Sequence, residues 1–516
     1  MWQAFHHPVV DARVVVWNNG QPWTANKLGG IMLALIDLQK FEGKRLGYLE
    51  ISESIIEAIK SGRLPVNSTL PTSRALAESL GVSRDTAVRS YDHLKSLGWI
   101  ESHGRIGMFV SSNAKVPVKH RPEKLLDCSR LSNYALGLLP QSEEELNADA
   151  RIDAIDPVRF GVVPKSYRPT ARWKKALQNF ASPTMIGESG FVANVLGRPE
   201  LRAEFSSYVC SNRGALCTPE EVVVFNGSFS ALSLIIRMFL EPGECIAIED
   251  PGFGGAASAA SYLGVNVVHI PVDAEGISVE ALERCDEKIK LVYVTPNHHE
   301  PSGITMSLTR RKHLLAWAQK KNVLIIEDEH DGLFHYGKMM PPSLKSMDTQ
   351  DNVIYLTSFW QILYPLTTIC LTVVPTSMCE LFDIAKIHTA NLTENQPQLA
   401  LAELLSTGYL QRHVSKLQHE FAPRRRALIY ELKRAFGTQA QVPLHTGGLK
   451  VMVQFSDYTD EAIVKAANQA NLSLALTSLF YQKQKRTPGE CVIYFPDLDE
   501  STIRKKIETF KNHLTS

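Results

Sequence analysis

Several features that define common classes of protein are missing from this sequence of 516 residues. No apolar run approaches the ~20 residues that a membrane-spanning helix needs, and no charged-then-apolar signal pattern stands at the start. The eight cysteines form no Cys-x-x-Cys pair, which argues against a zinc or disulfide framework. The sequence has neither Gly-x-Gly-x-x-Gly nor Gly-x-x-x-x-Gly-Lys-Ser/Thr, so no dinucleotide or P-loop site is indicated. We expect a cytoplasmic protein with no metal site and no membrane contact.

Composition and length indicate a globular protein with more than one domain. Hydrophobic residues make up 44% of the chain and charged residues 21%, with a formal net charge of +1. That balance excludes both an acidic tail and a basic coat for nucleic acid. A chain of this length is expected to form two or three domains. The pattern divides it into an N-terminal extension (1–30), a small helical domain (31–112), a linker (113–150) and a large domain (151–516).

Local patterns characterise the two short segments of that division. In the extension, the stretch ARVVVWNNGQPW favours a β-hairpin that turns at Asn-Asn-Gly. His6 and His7 have no third ligand at a useful spacing, so we interpret them as surface residues. Prolines and the acidic run at 142–145 are typical of an interdomain linker.

The small domain contains two short helical patterns around a tight turn. An apolar stripe at helical spacing marks the first helix, and Gly81 is expected to end it. Ser83 stands where a side-chain cap for the second helix is needed. Four apolar residues repeat at intervals of three along the second helix and are predicted to be buried. They are Val88, Tyr91, Leu94 and Leu97.

Polar residues lead the second helix, at the end where a recognition helix enters the major groove. After it, WIESHGRIGMFV reads as two β-prone runs around a turn, which suits a wing. The residues from Leu70 to Val110 closely resemble the winged-helix module of GntR-type bacterial transcription regulators, and EISESIIEAIKSGRLPVNSTLPTSR resembles that family's first helix. The resemblance implies a double-stranded DNA operator as partner; the alternative is a helix-turn-helix used only for packing. The predicted DNA-facing residues are Ser73, Arg74, Ser83, Arg84, Thr86, Arg89, His103, Gly104 and Arg105.

Charge sets a limit on this domain. Residues 31–112 carry ten Lys or Arg and nine Asp or Glu. Because phosphate neutralisation supplies most non-specific affinity, one copy is expected to bind DNA weakly and in a salt-sensitive way. We therefore expect a homodimer that binds paired half-sites.

In the large domain, short apolar β-prone runs alternate with helical patterns. The strand-like run EVVVFN is followed by the helical pattern SALSLIIRMFL. Further strand-like runs, separated by helical patterns, are KLVYVTP, LIIEDEH and NVIYLTSF. Buried strands separated by helices predict a doubly wound, parallel α/β sheet. Ligands of such sheets bind beyond the carboxyl ends of the strands.

Several segments of this domain resemble the aminotransferase-like domain of the MocR subfamily, in which a GntR-type module is fused to a fold-type I pyridoxal-phosphate domain. The segments follow the family's order, and the part from GGLKVMVQF to VIYFP is similar to its smaller C-terminal α/β subdomain. They include FNGSFSALSLIIRMFLEPGECIAIEDPGFGGA, YVTPNHHEPSG, IIEDEHDGLFHY and YLTSFWQILYPLTTICLTVVP.

At three positions the sequence departs from what this resemblance implies. The cofactor's Schiff base needs a lysine amine, and the matching residue is Gln361. The arginine for the cofactor phosphate is replaced by Thr368, and the tyrosine for the ring oxygen by His330. No Lys or Arg occurs between Lys345 and Lys386, so a shifted alignment does not restore the amine.

Other elements of the site are retained. Asp328 matches the carboxylate that pairs with the pyridine nitrogen, although a turn or cap aspartate would look the same. Gly227 and Ser228 open a helix whose free amides attract anions; a plain Ser228 N-cap is the alternative. Phe253 matches the aromatic residue that stacks on the cofactor ring in the family; the alternative is an ordinary core phenylalanine. The candidate ligand pocket comprises Gly227, Ser228, Phe229, Phe253, His298, Asp328, His330, Ser358, Gln361 and Thr368.

Three functions are consistent with the sequence. The first is a dimeric transcription regulator whose aminotransferase-like domain is a non-catalytic dimerisation or effector-sensing module, without a covalent cofactor but with room for a non-covalent pyridoxal-phosphate-like or other small ligand. The second is a pyridoxal-phosphate-dependent regulator or aminotransferase that attaches its cofactor in a non-standard way. The third is a purely structural DNA-binding protein with a closed pocket. We expect the first, with no catalytic residues.

Overall fold

The computed structural model describes residues 17–18, 21–22, 46–60, 63–103, 107–111, 130–137, 161–182, 194–337, 339–389, 392–443 and 447–515. These form two compact units, Met1–Asp127 and Cys128–Ser516. The domain boundaries derived from the sequence stay predictions. Within the described residues, no helix combines the length and apolar character needed to cross a bilayer.

The first unit contains a short hairpin and a winged helix. In the hairpin, β1 and β2 are antiparallel, with Trp17 opposite Pro22, in the stretch where the sequence predicts a turn. The winged helix has three helices and a three-stranded antiparallel sheet in the order β3-β5-β4. Its elements are α1 (Tyr48–Lys60), β3 (Thr69–Leu70), α2 (Ser73–Leu80), α3 (Arg84–Ser96), β4 (Ile100–Ser102) and β5 (Met108–Val110), after β1 (Trp17–Asn18) and β2 (Gln21–Pro22).

Local hydrogen bonds fix the two helices of the helix-turn-helix. The Thr72 hydroxyl accepts a bond from the Ala75 amide at 3.2 Å, and Gly81 ends α2 in the left-handed region at φ 63°. Ser83 caps α3 by accepting a bond from the Thr86 amide at 3.1 Å. The predicted helix end at Gly81 and cap at Ser83 are thus confirmed.

Of the four residues predicted to be buried on α3, two are buried and two are exposed. Tyr91 and Leu94 are buried, but Val88 is 37% exposed and Leu97 53% exposed. Each step of three residues turns a helix by 300°, so a repeat of threes drifts around the surface. The buried stripe instead follows the three-four spacing, and it consists of Ala87, Ser90, Tyr91 and Leu94.

The second unit is built on an eight-stranded sheet in the order β6-β13-β12-β11-β10-β7-β8-β9. Neighbours from β12 through β8 are parallel, as predicted. β13 is antiparallel to both β12 and β6, and β9 is antiparallel to β8, so the sheet is mixed. The strands are β6 (Val222–Phe225), β7 (Cys245–Asp250), β8 (Asn266–Asp273), β9 (Gly276–Ile277), β10 (Ile289–Val294), β11 (Leu324–Asp328), β12 (Val353–Ser358) and β13 (Cys370–Val373).

Strands β6 and β13 are buried at every residue, and β7, β10, β11 and β12 are buried at all residues but one. This burial follows from their Val- and Ile-rich composition. The helices of this part are α4 (Asn133–Gly137), α5 (Thr170–Asn179), α6 (Pro199–Arg213), α7 (Ser228–Phe239), α8 (Gly254–Tyr262), α9 (Val279–Glu283), α10 (Leu308–Lys321), α11 (Leu344–Met347), α12 (Trp360–Leu363), α13 (Cys379–His388) and α14 (Asn395–Ser406).

A smaller subdomain completes the chain. Its four-stranded sheet, in the order β14-β15-β17-β16, is antiparallel throughout. A 28-residue helix leads into it and continues across Pro423. The elements are α15 (Tyr409–Phe436), β14 (Ala440–Gln441), β15 (Lys450–Phe455), α16 (Asp460–Gln469), β16 (Leu474–Leu476), β17 (Glu490–Tyr494) and α17 (Glu500–Thr515).

Candidate functional site

The predicted DNA-facing residues that the structure describes lie on the surface of the winged helix. Ser83, Arg84, Arg74, Arg89 and His103 are exposed, while Ser73 and Thr86 are partly exposed. The wing strands pair as predicted, with Ile100 opposite Val110. Gly104 and Arg105 lie outside the described residues.

Two of these side chains are oriented by aromatic neighbours. The Arg89 guanidinium lies over the Tyr48 ring of α1, 5.1 Å from its centre. The His103 ring lies 4.8 Å from the Phe109 ring, and its Nε2 is 3.1 Å from the Glu101 carboxylate. These contacts restrict the rotamers of Arg89 and His103, which lowers the entropy that binding would cost.

The candidate ligand pocket lies at the carboxyl edge of the large sheet. Gly227 is the N-cap of α7, with φ 103°, and as a glycine it offers no capping side chain. The alternative in which Ser228 serves as N-cap is wrong, because Ser228 is the first helical residue. The Thr368 backbone oxygen lies 3.8 Å from where a Gly227 Cβ would stand, and the Thr368 side chain is exposed.

Three rings among the candidate pocket residues lie close together. The Phe253 ring lies 6.0 Å from the Phe229 ring in a T-shaped arrangement and 6.3 Å from the His330 ring, with the latter planes only 16° apart. Gly255 makes room for this cluster, since a Cβ there would stand 2.4 Å from Phe253 and 2.7 Å from Phe229. Phe229 remains 52% exposed, so the cluster is open to solvent on that side.

Asp328 is the buried carboxylate among the candidate pocket residues. Asp328 ends β11 and accepts a hydrogen bond of 2.6 Å from the Tyr293 hydroxyl. Burial raises the pKa of Asp328 to about 6, against the opposing effects of the His330 charge and the Tyr293 bond. Asp328 therefore acts as neither a helix cap nor an exposed turn residue.

Gln361 is buried on α12, directly after β12. Its Nε2 donates to the Asp331 carboxylate and, at 3.2 Å, to the Gly161 carbonyl. Its Oε1 is buried and has no hydrogen-bond partner among the residues that the structure describes. Ser358, three residues earlier, accepts a bond of 3.4 Å from the Trp360 amide.

The structure adds a charged triad that the sequence interpretation missed. Lys450 Nζ contacts Glu300 Oε1 at 2.5 Å, and both side chains are 6% exposed. His330 Nε2 lies 3.4 Å from the other oxygen of Glu300. A lysine within the apolar run GGLKVMVQF was the available signal, because a charge in a buried strand requires a partner.

The triad shifts the pKa values of its members in opposite directions. Burial alone would raise the pKa of Glu300, but Lys450 and His330 outweigh it and hold the pKa at about 2. Burial would lower the pKa of His330, yet Glu300 raises it to about 9. At neutral pH the triad is therefore two cations on one carboxylate. Burial raises the pKa of the neighbouring Asp331 to about 6.

His298 has a different environment from the rest of the predicted set. Its ring nitrogens contact the Asp331 carbonyl at 2.7 Å and His335 Nδ1 at 3.1 Å. The ring lies against Gly447, where a Cβ would come within about 2 Å of three ring atoms, and Asp331 approaches Gly448 in the same way. His298 thus joins the large sheet to the C-terminal subdomain. The described residues contain no group of three or more His, Cys, Asp or Glu side chains placed to hold a metal ion.

Comparison of the sequence with known protein families identifies the family of the larger domain. Residues 163–477, more than half of the chain, match the family described as Aminotransferase class I and II. The chain belongs to the aminotransferase class I and II family. Residues 47–110 match the family described as Bacterial regulatory proteins, gntR family, so in this member a gntR-type domain precedes the aminotransferase domain.

Relatives of this aminotransferase-family chain share the same combination along nearly their whole length. One is called Uncharacterized HTH-type transcriptional regulator YdeL, from Bacillus subtilis (strain 168), which is 28% identical over 90% of this chain and 96% of its own. Another is called Probable rhizopine catabolism regulatory protein MocR, from Rhizobium meliloti, which is 26% identical over 90% of this chain and 92% of its own. The predicted pairing of a GntR-type and an aminotransferase-like domain is confirmed.

A solved structure supports the fold of the larger domain. The kynurenine aminotransferase of Pyrococcus horikoshii superposes with a TM-score of 0.65 over 75% of this chain and 97% of its own, at 24% identity. The predicted fold-type I aminotransferase-like architecture with a smaller C-terminal subdomain is therefore confirmed.

Proposed function

We propose that this chain is a sequence-specific DNA-binding transcription regulator whose aminotransferase-like domain is a non-catalytic module for dimerisation and effector sensing. The observation that carries the proposal is Gln361, a buried amide held by Asp331 and Gly161 at the position that matches the family's Schiff-base lysine. An amide nitrogen is not nucleophilic and forms no Schiff base. The names of the relatives YdeL and MocR, both regulators, favour the same conclusion.

The winged helix supplies the DNA-binding half of the proposal. Arg84 and Arg89 are exposed on the first turns of α3, the part of a recognition helix that contacts base edges. Arg74 is exposed on α2, which in this motif crosses the backbone. Since one domain carries little net charge, we propose that a homodimer binds a two-fold symmetric operator.

The pocket residues fit pyridoxal phosphate only in part. Asp328 offers a carboxylate to a ring nitrogen, Phe253 offers a face, and the N-terminus of α7 offers amides to an anion. The amine is missing at Gln361, and Thr368 offers no positive charge. A hydrogen bond to a charged group contributes about 1.5–3 kcal/mol, so replacing an arginine by threonine alone weakens anion binding about ten-fold or more. We therefore derive no catalytic step through this cofactor.

A second candidate function has one observation in its favour. Lys450 brings an amine into the pocket region, with its Nζ 3.9 Å and Gln361 Nε2 3.7 Å from the position of a Gly161 Cβ. A regulator that attaches its cofactor through Lys450 would be the result. The ion pair with Glu300 opposes it, because a carboxyl with a pKa of about 2 is a poor acceptor for the lysine proton. Borohydride reduction that placed a pyridoxyl label on Lys450 would establish this function.

DNA binding is tested with single substitutions in α3. Genomic fragments retained by the full-length protein identify a site, which is then titrated with wild type, Arg84→Ala and Arg89→Ala. Each bidentate contact to a base is worth about 1–3 kcal/mol, so each variant should bind about 5- to 150-fold more weakly.

The matched control is Lys95→Ala, which removes an exposed charge from the last turn of the same helix. It should change affinity only a few-fold and alter the salt dependence by about one phosphate contact. Equal protection of the site by wild type and both arginine variants would refute the placement of α3 in the major groove.

A further inference from the structure

Val88 is an apolar side chain on the exposed face of α3. It is 37% exposed, and the four residues around it on this face are charged and exposed as well. They are Arg84, Asp85, Arg89 and Asp92. The buried stripe of α3 lies on the other side of the helix. Val88 is therefore an apolar spot within a charged surface, close to the end of α3 that the proposed function places in the major groove.

Helical geometry places Val88 between a cation and two carboxylates. With 3.6 residues per turn, Val88 lies about 40° around the helix axis from Arg84 and about 40° from Asp92. Asp85 lies about 20° beyond Asp92, and Arg89 about 40° beyond Asp85. The exposed arc thus begins and ends at an arginine, and its centre holds the valine and two acidic side chains.

The charge of this arc indicates which part of DNA its centre can face. A carboxylate beside a phosphate is repelled, whereas in the major groove it can accept a hydrogen bond from the amino group of cytosine. Asp85 is in the first turn and also favours the helix dipole, but Asp92 is two turns further on, where that benefit has ended. Val88 offers no donor to a phosphate. The centre of the arc therefore suits base edges and does not suit the backbone.

Of the four bases, thymine has the edge that Val88 complements. Guanine, cytosine and adenine present only hydrogen-bonding groups in the major groove, while thymine presents a C5-methyl group beside its oxygen. A valine packed on a donor or acceptor would remove its water and offer no bond in return. Packed on the methyl group, it removes apolar surface from water on both sides. A β-branched side chain in a helix has one preferred rotamer, so little entropy is lost.

We propose that Val88 is a specificity-determining residue that packs on the C5-methyl group of a thymine in each half-site of the operator. The inference rests on the proposed DNA-binding function and specifies one base of its site. Four residues of helix span about 6 Å, and successive bases of one strand are about 3.4 Å apart along the duplex. The thymine should therefore lie within about two base pairs of the base that Arg84 contacts.

Deoxyuridine tests this contact, because it pairs as thymidine does and lacks only the methyl group. In the site identified with the full-length protein, each thymine is replaced in turn by deoxyuridine, and the affinity is measured by titration. One replacement per half-site should weaken wild-type binding about four-fold, the value of one buried methyl group. For Val88→Ala, the same duplex and the unmodified site should bind within about 1.5-fold of each other, since the methyl group has lost its partner.

Two further variants make the assignment specific. Leu97→Ala removes another apolar side chain, 53% exposed at the opposite end of α3, and should keep the four-fold effect of the methyl group. Val88→Thr keeps the shape and one of the two methyl groups, and should show an intermediate effect. Thermal unfolding of each variant without DNA shows whether it has the wild-type fold. Effects of deoxyuridine on the shape of the duplex act equally on wild type and variants, so they do not imitate the result.

The outcomes separate this inference from the proposed function. A site in which no thymine methyl group affects binding, or an effect that persists unchanged in Val88→Ala and Val88→Thr, would overturn the inference and leave the regulator intact. Complete loss of binding by a folded Val88→Ala would also overturn it, because one methyl contact cannot carry that much affinity. If the full-length protein retains no genomic fragment specifically, the proposed function fails and the inference fails with it.

Discussion

Removing the ammonium of the Lys450–Glu300–His330 triad should destabilise the aminotransferase-like domain strongly. In Lys450→Met the Glu300 carboxyl loses the contact at 2.5 Å and remains buried. The shift of the Glu300 pKa from 4.5 to about 2 corresponds to about 3 kcal/mol, at 1.36 kcal/mol per pKa unit. Loss of one partner from a buried ion pair costs about 3–5 kcal/mol. The pKa route includes the smaller contribution of His330, which Lys450→Met leaves in place, and the ion-pair route does not; together they predict a loss of about 3 kcal/mol at pH 7.

The pH dependence has a sign that can be derived for each group. The folded-state pKa of Glu300 is depressed, so its stabilisation is fully present above about pH 4.5 and is lost as the pH falls through about 2. The folded-state pKa of His330 is raised, so its stabilisation is present below about pH 6.5 and is lost as the pH rises through about 9. The His330 side chain is 28% exposed, so solvent screens its share and the alkaline loss should be the smaller one.

The assay is urea-dependent hydrogen exchange of the full-length protein, followed by mass spectrometry on peptides from β11 and β12. These peptides report this domain separately from the winged helix. Glu300→Gln combined with Lys450→Met is the matched control, because it removes the ion pair together with the carboxylate that raises the pKa of His330, so that His330 can lose its proton and most of the stability should be recovered. A loss below about 1 kcal/mol in Lys450→Met, or a double variant no more stable than the single one, would refute the electrostatic account.

Two further predictions concern other buried groups. Leu94→Ala should lower the free energy of unfolding of the winged helix by about 2–5 kcal/mol, because Leu94 is fully buried. Val88→Ala should change it by no more than about 0.5 kcal/mol. Similar melting temperatures for the two variants would contradict the observed burial of α3. Burial lowers the pKa of Lys386 to about 7. Between about pH 7 and 10.5 the unfolded state therefore binds more protons than the folded state, and wild type should gain stability as the pH rises through that range. Lys386→Met should lose this dependence in denaturation series at several pH values, and an unchanged slope would show that another group titrates.

Structure that depends on neighbouring residues could be predicted from the sequence. The Ser83 cap and the Gly81 helix end involve bonds between residues three to five positions apart, which short patterns report directly. The parallel core of the sheet follows from strands that alternate with helices. The antiparallel direction of β13 was not predicted, although the length of the preceding connection in the sequence explains it. Only residues 359–369 separate β12 from β13, and a parallel crossover needs about a dozen or more residues.

Features formed by distant residues were harder to predict. Glu300 and Lys450 are 150 positions apart, so no local sequence pattern indicates that they form an ion pair. The predicted pocket residues Phe229, Phe253 and His330 do come together. The hydrogen bonds of the Gln361 amide could not be predicted from the sequence, because Asp331 and Gly161, which accept from its nitrogen, are 30 and 200 positions away.

The close approach at Gly447 and Gly448 has a mechanical consequence. His298 rests on one bare α-carbon and Asp331 on the next, so the two sheets meet there with no side chain to act as a spacer. Even a single methyl group would wedge the seam open and draw Lys450, two residues further on, away from its counter-ion. The distance between the two sheets at this contact is therefore set by two α-hydrogen atoms, and a longer side chain at either position would hold the sheets apart.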